Sequence, residues 1–314
     1  MNKTQIFRLA FRWLPRVPHG LLRGAGRVVA LGLWALVPAM RRRVRANLRH
    51  IPTLAANPIA LERVTRRAFR SLVLNYLDLF VPPPPGAAAR FPIHNVGALR
   101  AVQAEGRGCI FLSVHSAGFE WGRYALPHLL RTPIVGPLET VQPPELYDLI
   151  STERNKAGVR FLPITEGATL REMIAALRRN ETVLLALDRD VLHSGVVMPF
   201  FGKPARIPTG AIALARLTGA PIVLGALWRV GAAQLAGDIT TTFSLALVGP
   251  ATRGDAATRR ALAPLVTAME RTIMQHPDQW LAVFTDDVWL PPAEVTKLAL
   301  ASEHPSGNSR ISAG

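Results

Sequence analysis

Cysteine is nearly missing from this sequence: Cys109 is the only one in 314 residues. An internal disulfide framework and a multi-cysteine zinc site are thereby excluded. Charge is also scarce, at 18 % of residues, against roughly 25 % in ordinary globular domains. With hydrophobic residues at 49 %, most of the chain has the means to build a core, which excludes disorder for most of it. Acid is missing from the start. No Asp or Glu precedes Glu62, whereas residues 1–50 hold eleven Lys/Arg, so that stretch supplies +11 of a net charge of +16. An evenly mixed surface is excluded, and a basic face meeting something anionic is implied. A long apolar run is missing too. Val28 to Met40 gives 13 uncharged residues, interrupted by Gly32 and Pro38, where a spanning helix needs about 20. Snorkelling Arg23 and Arg27 leave a marginal span open. The tract Arg41-Arg42-Arg43-Val44-Arg45 stands where a signal peptide would place its cleavage site, which argues against a secretory signal.

What is present in that opening segment is apolar and aromatic. Phe7, Phe11, Trp13, Leu14, Leu21, Leu22 and Trp34 alternate with arginines, the composition of a helix lying in the lipid headgroup layer. Residues 1–50 are therefore expected to be a basic amphipathic anchor on an anionic membrane surface. If the basic flank stays inside, the active side is expected to be cytoplasmic. Nucleic acid is not the expected partner, because no zinc finger or aromatic RNA-binding box is visible.

Beyond it, 51–85 reads as a helical lead-in ending in the linker Pro82-Pro83-Pro84-Pro85-Gly86. Residues 86–292 then alternate short apolar strands with helices. Strands are predicted at Cys109–His115, Pro133–Leu138, Val159–Pro163, Thr182–Leu187, Ile222–Trp228 and Thr242–Val248. Helices are predicted at Glu120–Leu130, Pro144–Lys156, Gly167–Arg179, Thr209–Leu217 and Asp255–Gln275, and the stretch from 188 to 208 as loop. This is the pattern of an α/β fold with a mostly parallel central sheet covered by helices. Chemistry in such a sheet sits in loops beyond the carboxyl ends of the strands. The polar tail 302–314 is expected to be disordered.

The sharpest motif is Ser113-Val114-His115-Ser116-Ala117-Gly118-Phe119-Glu120-Trp121. His115 closes an apolar strand and Glu120 opens a helix. An imidazole oriented by a carboxylate can take a proton from an alcohol. Asp188-Arg189-Asp190 follows a second apolar strand and so lies at the same edge. No Gly-x-Ser-x-Gly elbow, P-loop or dinucleotide fingerprint is present, which makes Ser116 a poor nucleophile. Two acids without further ligands make a poor metal site, so no metal is expected. Cys109 reads as core.

Five blocks in order resemble the bacterial lipid A late (lauroyl/myristoyl) acyltransferases and phosphatidylinositol mannoside acyltransferases, within the lysophospholipid acyltransferase superfamily. They are RRRVRANLRH (41–50), CIFLSVHSAGFEWG (109–122), RNKAGVRFLPI (154–164), the long block 187–222 and HPDQWLAVFTDDVW (276–289). The resemblance covers residues 5–290. It implies that His115 is the general base and Glu120 its partner within a His-x4-Asp/Glu motif. It places Glu139 and Arg154 among further polar active-site residues, Arg154 on an anionic headgroup or the oxyanion. Asp188 and Asp190 would shape the site, and Phe200 and Phe201 would line an acyl pocket. Where the family usually has His-x-Gly-Asn-Trp before its acid, this chain has His-Ser-Ala-Gly-Phe. Where the lipid A branch commonly has Asp-Gln-Asp, it has Asp-Arg-Asp, which leans toward the mannoside branch.

The implied function is transfer of a fatty acyl group from an acyl carrier protein or coenzyme A thioester to a hydroxyl of a lipid or glycolipid. No dissociable cofactor is required. The expected place is the cytoplasmic face of the bacterial inner membrane. Two other classes stay open on the residues alone. One is a lipid hydrolase or thioesterase using the same His–Glu pair, and the other is a non-enzymatic membrane-binding protein.

Overall fold

The computed structural model describes residues 2–164, 167–231, 235–243 and 255–303. It opens with helices. Helix α1 (Lys3–Trp13) is held at its start by a capping box: Asn2 accepts from the Gln5 amide, and Gln5 accepts from the Asn2 amide. Helices α2 (His19–Leu36) and α3 (Pro38–Leu48) meet at a 91° bend, because Pro38 cannot continue the preceding hydrogen-bond ladder. No single helix among the described residues is long and apolar enough to cross a membrane, although the bent pair passes by length and composition together. A short α4 (Pro52–Ala55) leads to α5 (Pro58–Phe80), capped by Asn57 and Pro58 and ended before the proline run.

The remaining chain builds an α/β domain. In order come β1 (Ile93–His94), α6 (Val96–Ala104), β2 (Cys109–Ser113), α7 (Phe119–Leu130), β3 (Ile134–Leu138), α8 (Pro144–Asn155), β4 (Val159–Pro163), α9 (Gly167–Arg178) and β5 (Thr182–Ala186). A hairpin β6 (Val196–Phe200) and β7 (Lys203–Ile207) follows. Then come α10 (Gly210–Thr218), β8 (Ile222–Arg229), β9 (Leu235–Phe243), α11 (Asp255–Gln275) and α12 (Pro292–Glu303). Seven strands form one sheet in the order β1-β9-β8-β2-β5-β3-β4, parallel at every pairing except β8 with β9. The expected mostly parallel sheet is present.

Several stretches differ from the sequence reading, among them β1, α6 and α12, which it did not predict. The stretch expected as loop contains the β6–β7 hairpin, masked in the sequence by Pro199, Gly202 and Pro204. The strand expected at Thr242–Val248 overlaps the end of β9 and then lies outside the described residues, as does the tail beyond Glu303.

The sheet is apolar on both faces because helices cover both. Cys109, Ile110, Phe111 and Leu112 of β2 are all buried, each full burial contributing about 1.5–3 kcal/mol. The opening helices share that core: Ala30, Val44, Leu48, Ile51 and Phe69 belong to one cluster with Ile110, Val183 and Ile222.

Candidate active site

The site forms where β2 and β5 end. These strands are parallel neighbours, with Ser113 opposite Ala186. Two residues beyond each register partner stand His115 and Asp188, so the pairing itself sets the two side by side. Asp188 Oδ1 lies 2.8 Å from His115 Nδ1, and Oδ2 accepts the His115 amide at 2.9 Å. Trp280, fully buried, donates its indole N–H to the same Oδ2 at 2.7 Å. The Leu281 amide donates to the His115 carbonyl at 2.7 Å, and Gln279 accepts from the Ala117 amide at 2.9 Å. The segment 279–281 thus clamps the turn that carries the histidine.

Asp188 is buried and the imidazole keeps 42 % of its side-chain surface open. Burial alone would lower the His115 pKa. The charge and hydrogen bond of Asp188 outweigh it, so the net shift is upward from 6.5. Burial would likewise raise Asp188, but the imidazole, the backbone amide and Trp280 hold it below the ordinary range. Asp188 is therefore the ionised partner, and Nδ1 carries the shared proton. That leaves Nε2, which has no protein partner among the described residues, as the basic nitrogen.

The carboxylate beside His115 is thus Asp188, and Glu120 does not reach the ring. Glu120 sits in the first turn of α7, 1 % exposed, and pairs with Arg123 (Nε to Oε2, 3.2 Å) and with Arg154 through both of its oxygens. The turn at Gly118 directs it away from the strand end and into this ionic group. Arg154 in turn lies over the Phe119 ring. Its guanidinium is engaged by Glu120, one side facing a cavity of about 210 Å³ lined also by Phe7, Tyr76 and Glu139.

Glu139, just past β3, accepts from Arg189 at 2.7 Å, and Arg189 Nε–H donates to Asp287 at 2.7 Å. Asp190 is buried and accepts the Gly195 amide at 2.6 Å, closing the loop ahead of β6. A second cavity, of about 320 Å³, has His115, Glu139, Arg189 and Asp190 among its lining. Its apolar wall comes from Leu112, Ile164, Leu170, Met173, Leu187 and Leu192. Phe200 and Phe201, expected to line an acyl pocket, are not among its lining residues. Both are buried in an aromatic cluster with Trp280 and Trp289, beneath the residue that holds Asp188.

Arg189, Trp280 and Asp287 are site residues that the sequence reading did not assign. The signal was there in outline, since Arg189 lies inside the Asp-Arg-Asp run and the other two in the block 276–289.

The family described as bacterial lipid A biosynthesis acyltransferase matches residues 6–284. The chain is 28 % identical over 182 residues to the phosphatidylinositol mannoside acyltransferase of Mycobacterium tuberculosis, covering 57 % of this chain and 55 % of that protein. Against the phosphatidylinositol mannoside acyltransferase of Mycolicibacterium smegmatis it is 30 % identical over 132 residues, 40 % of this chain and 42 % of that one. The chain spans about half the length of the curated relatives it matches.

Proposed function

The chain belongs to the bacterial lipid A biosynthesis acyltransferase family, and from that premise we propose that it transfers a fatty acyl group from an acyl thioester to a hydroxyl of a lipid or glycolipid. The observation that carries the chemistry is the His115–Asp188 pair opening into a cavity with an apolar wall. His115 Nε2 takes the acceptor hydroxyl proton as that oxygen attacks the thioester carbonyl carbon. The carbon–sulfur bond then breaks, and the departing thiolate takes the proton back from the imidazolium. Asp188 holds the productive tautomer and stabilises the imidazolium that forms. The chain of the acyl group lies along Leu112, Leu170, Met173 and Leu187. The acceptor approaches from the side of Glu139 and Arg154, whose ionic groups suit a polar headgroup.

The donor is an acyl carrier protein or coenzyme A thioester. The relatives named for phosphatidylinositol mannoside favour a mannosylated lipid as acceptor, and lipid A-like glycolipids are the alternative. The opening helices dock the enzyme on the cytoplasmic face of the bacterial inner membrane. Glu120 serves the site by holding Arg154 in place.

Purified protein incubated with radiolabelled acyl thioester and glycolipid tests the reading. His115→Ala is expected to lower acyl transfer by about 10²–10⁴-fold, the usual worth of a general base, with the circular dichroism spectrum unchanged. Wild-type-like transfer by that variant would overturn it. Release of free fatty acid without an acylated acceptor would replace transferase by hydrolase.

A further inference from the structure

A large cavity lies away from the active site. It is a groove of about 940 Å³ between α2 and α5. Four arginines of α5 line it at helical spacing, Arg63, Arg66, Arg67 and Arg70, and Arg27 of α2 joins them. Positions i, i+3, i+4 and i+7 share one face of a helix. All five are exposed. None of them has a carboxylate within 4 Å among the described residues. The one acid in the lining, Glu62, reaches Arg45 instead, at 3.8 Å. Arg70 shows the strain of this crowding. Burial, Arg27 and Arg67 lower its pKa, and only Asp278 works the other way.

The floor is apolar. Ala30 is buried, while Val28 and Ile59 stand 72 % and 74 % exposed and Leu31 is exposed beside them. At one end the Trp34 ring carries Arg66 at 5.8 Å and Arg41 at 5.2 Å, and its indole N–H is buried without a hydrogen-bond partner among the described residues. A purely ionic partner would leave this floor in water. A purely apolar one would leave five guanidinium groups uncompensated.

We propose that this groove binds one anionic phospholipid of the membrane, its phosphate held by the arginine rim and one acyl chain laid over Val28, Leu31 and Ile59. Guanidinium groups match phosphate oxygens bidentately, and clustered basic side chains between helices at a membrane surface select anionic headgroups. The site is distinct from the acyl cavity, which is lined by residues of β2, β5, α9 and α10. The proposal rests on the bilayer-docking part of the reading above, since that places lipid at hand, and it is independent of the acyl-transfer chemistry.

The test is calorimetric titration of the full chain with dihexanoyl phosphatidylglycerol below its micelle concentration, beside dihexanoyl phosphatidylcholine and inorganic phosphate. Saturable one-to-one binding of the glycerol lipid is expected, with the other two much weaker. Arg63→Gln with Arg67→Gln removes two exposed charges and should weaken that binding about 30-fold. Acyl transfer to a short soluble acceptor should stay at the wild-type rate. Unaltered lipid binding by the double variant would overturn the proposal, as would loss of binding to an acidic acyl carrier protein in its place. Binding to phosphatidylglycerol vesicles but not to the short lipid would overturn the groove while leaving membrane docking intact. Binding to neither would overturn both.

Discussion

Both oxygens of Asp188 are committed, and that commitment decides which imidazole nitrogen is left free to act as the proposed base. Oδ2 accepts from two N–H groups, the His115 amide and the Trp280 indole, while Oδ1 faces Nδ1. An amide in place of the carboxylate cannot serve both sides. If Asp188→Asn keeps its oxygen on Nδ1, its NH₂ meets two donors. If it turns over, its NH₂ donates to Nδ1, the ring proton moves to Nε2, and the base is lost. The second arrangement satisfies more hydrogen bonds, so the variant is expected to fold and to lose about 10³–10⁴ in turnover. Titration gives a second signature. In the proposed reaction the neutral ring is the active form, so kcat/KM should fall as pH drops through the His115 pKa, which lies above 6.5 in the wild type. In Asp188→Asn the residual acid limb should move downward, because burial then acts without the opposing charge. A pH–rate profile with the limb unmoved would count against the pair. None of this was legible locally. The sequence presents Glu120 five residues from His115 and Asp188 seventy-three residues away, and only the strand order places the distant acid next to the ring.

At the scale of elements, the turn between β2 and α7 works because it has no side chain where it crosses β8. A Cβ on Gly118 would stand 2.2 Å from the Leu227 carbonyl oxygen, and a Cβ on Gly122, one turn later, 2.5 Å from Leu227 Cδ1. The first obstacle is backbone inside a sheet and the second is the tip of a flexible side chain. Gly118→Ala is therefore expected to cost about 1–3 kcal/mol by overpacking and to shift the His115 turn. In Gly122→Ala the gain of about 1 kcal/mol in helix propensity offsets much of the repacking of Leu227. Urea unfolding of the two variants should show a clear gap between them, and equal losses would refute this account of the turn. The elements themselves were largely readable. Val159–Pro163 and Asp255–Gln275 coincide with the periodicity reading, and most other ends differ by a residue or two. The failures have local causes. In β6–β7, proline and glycine interrupt two five-residue strands that pair only with each other. In 93–94, the strand is too short for any period to show.

Over the whole molecule, the opening charge asymmetry does not mark a detachable anchor. Arg23 of α2 is buried with Asp78 of α5 and stacks on Trp121, which also carries Arg229 of β8. Gly26 is pressed against Leu77, and Ala30, Val44 and Leu48 lie in the main core. Deleting residues 1–40 would expose that core and leave Asp78 without one of its two guanidinium partners, so a truncation would report on folding before it reported on docking. The surface of the same helices is the informative part. Of sixteen exposed large apolar side chains among the described residues, eight fall in residues 1–36, and Leu36 is 82 % exposed. Basic residues alone would suit many polyanions; apolar side chains left in water beside them suit the headgroup layer. Trp13, Leu21 and Leu36 are exposed on these helices, outside the arginine groove. Changing all three to serine removes apolar area without touching the core, so the thermal midpoint should stay within a few degrees of wild type. The fraction carried up with phosphatidylglycerol vesicles in a flotation gradient should fall at least about 10-fold. Transfer to a membrane-embedded acceptor should fall with it, while transfer to a short soluble acceptor persists. If the triple variant floats like wild type, the apolar face is not the docking surface, and the attraction of this basic end to lipid is electrostatic alone.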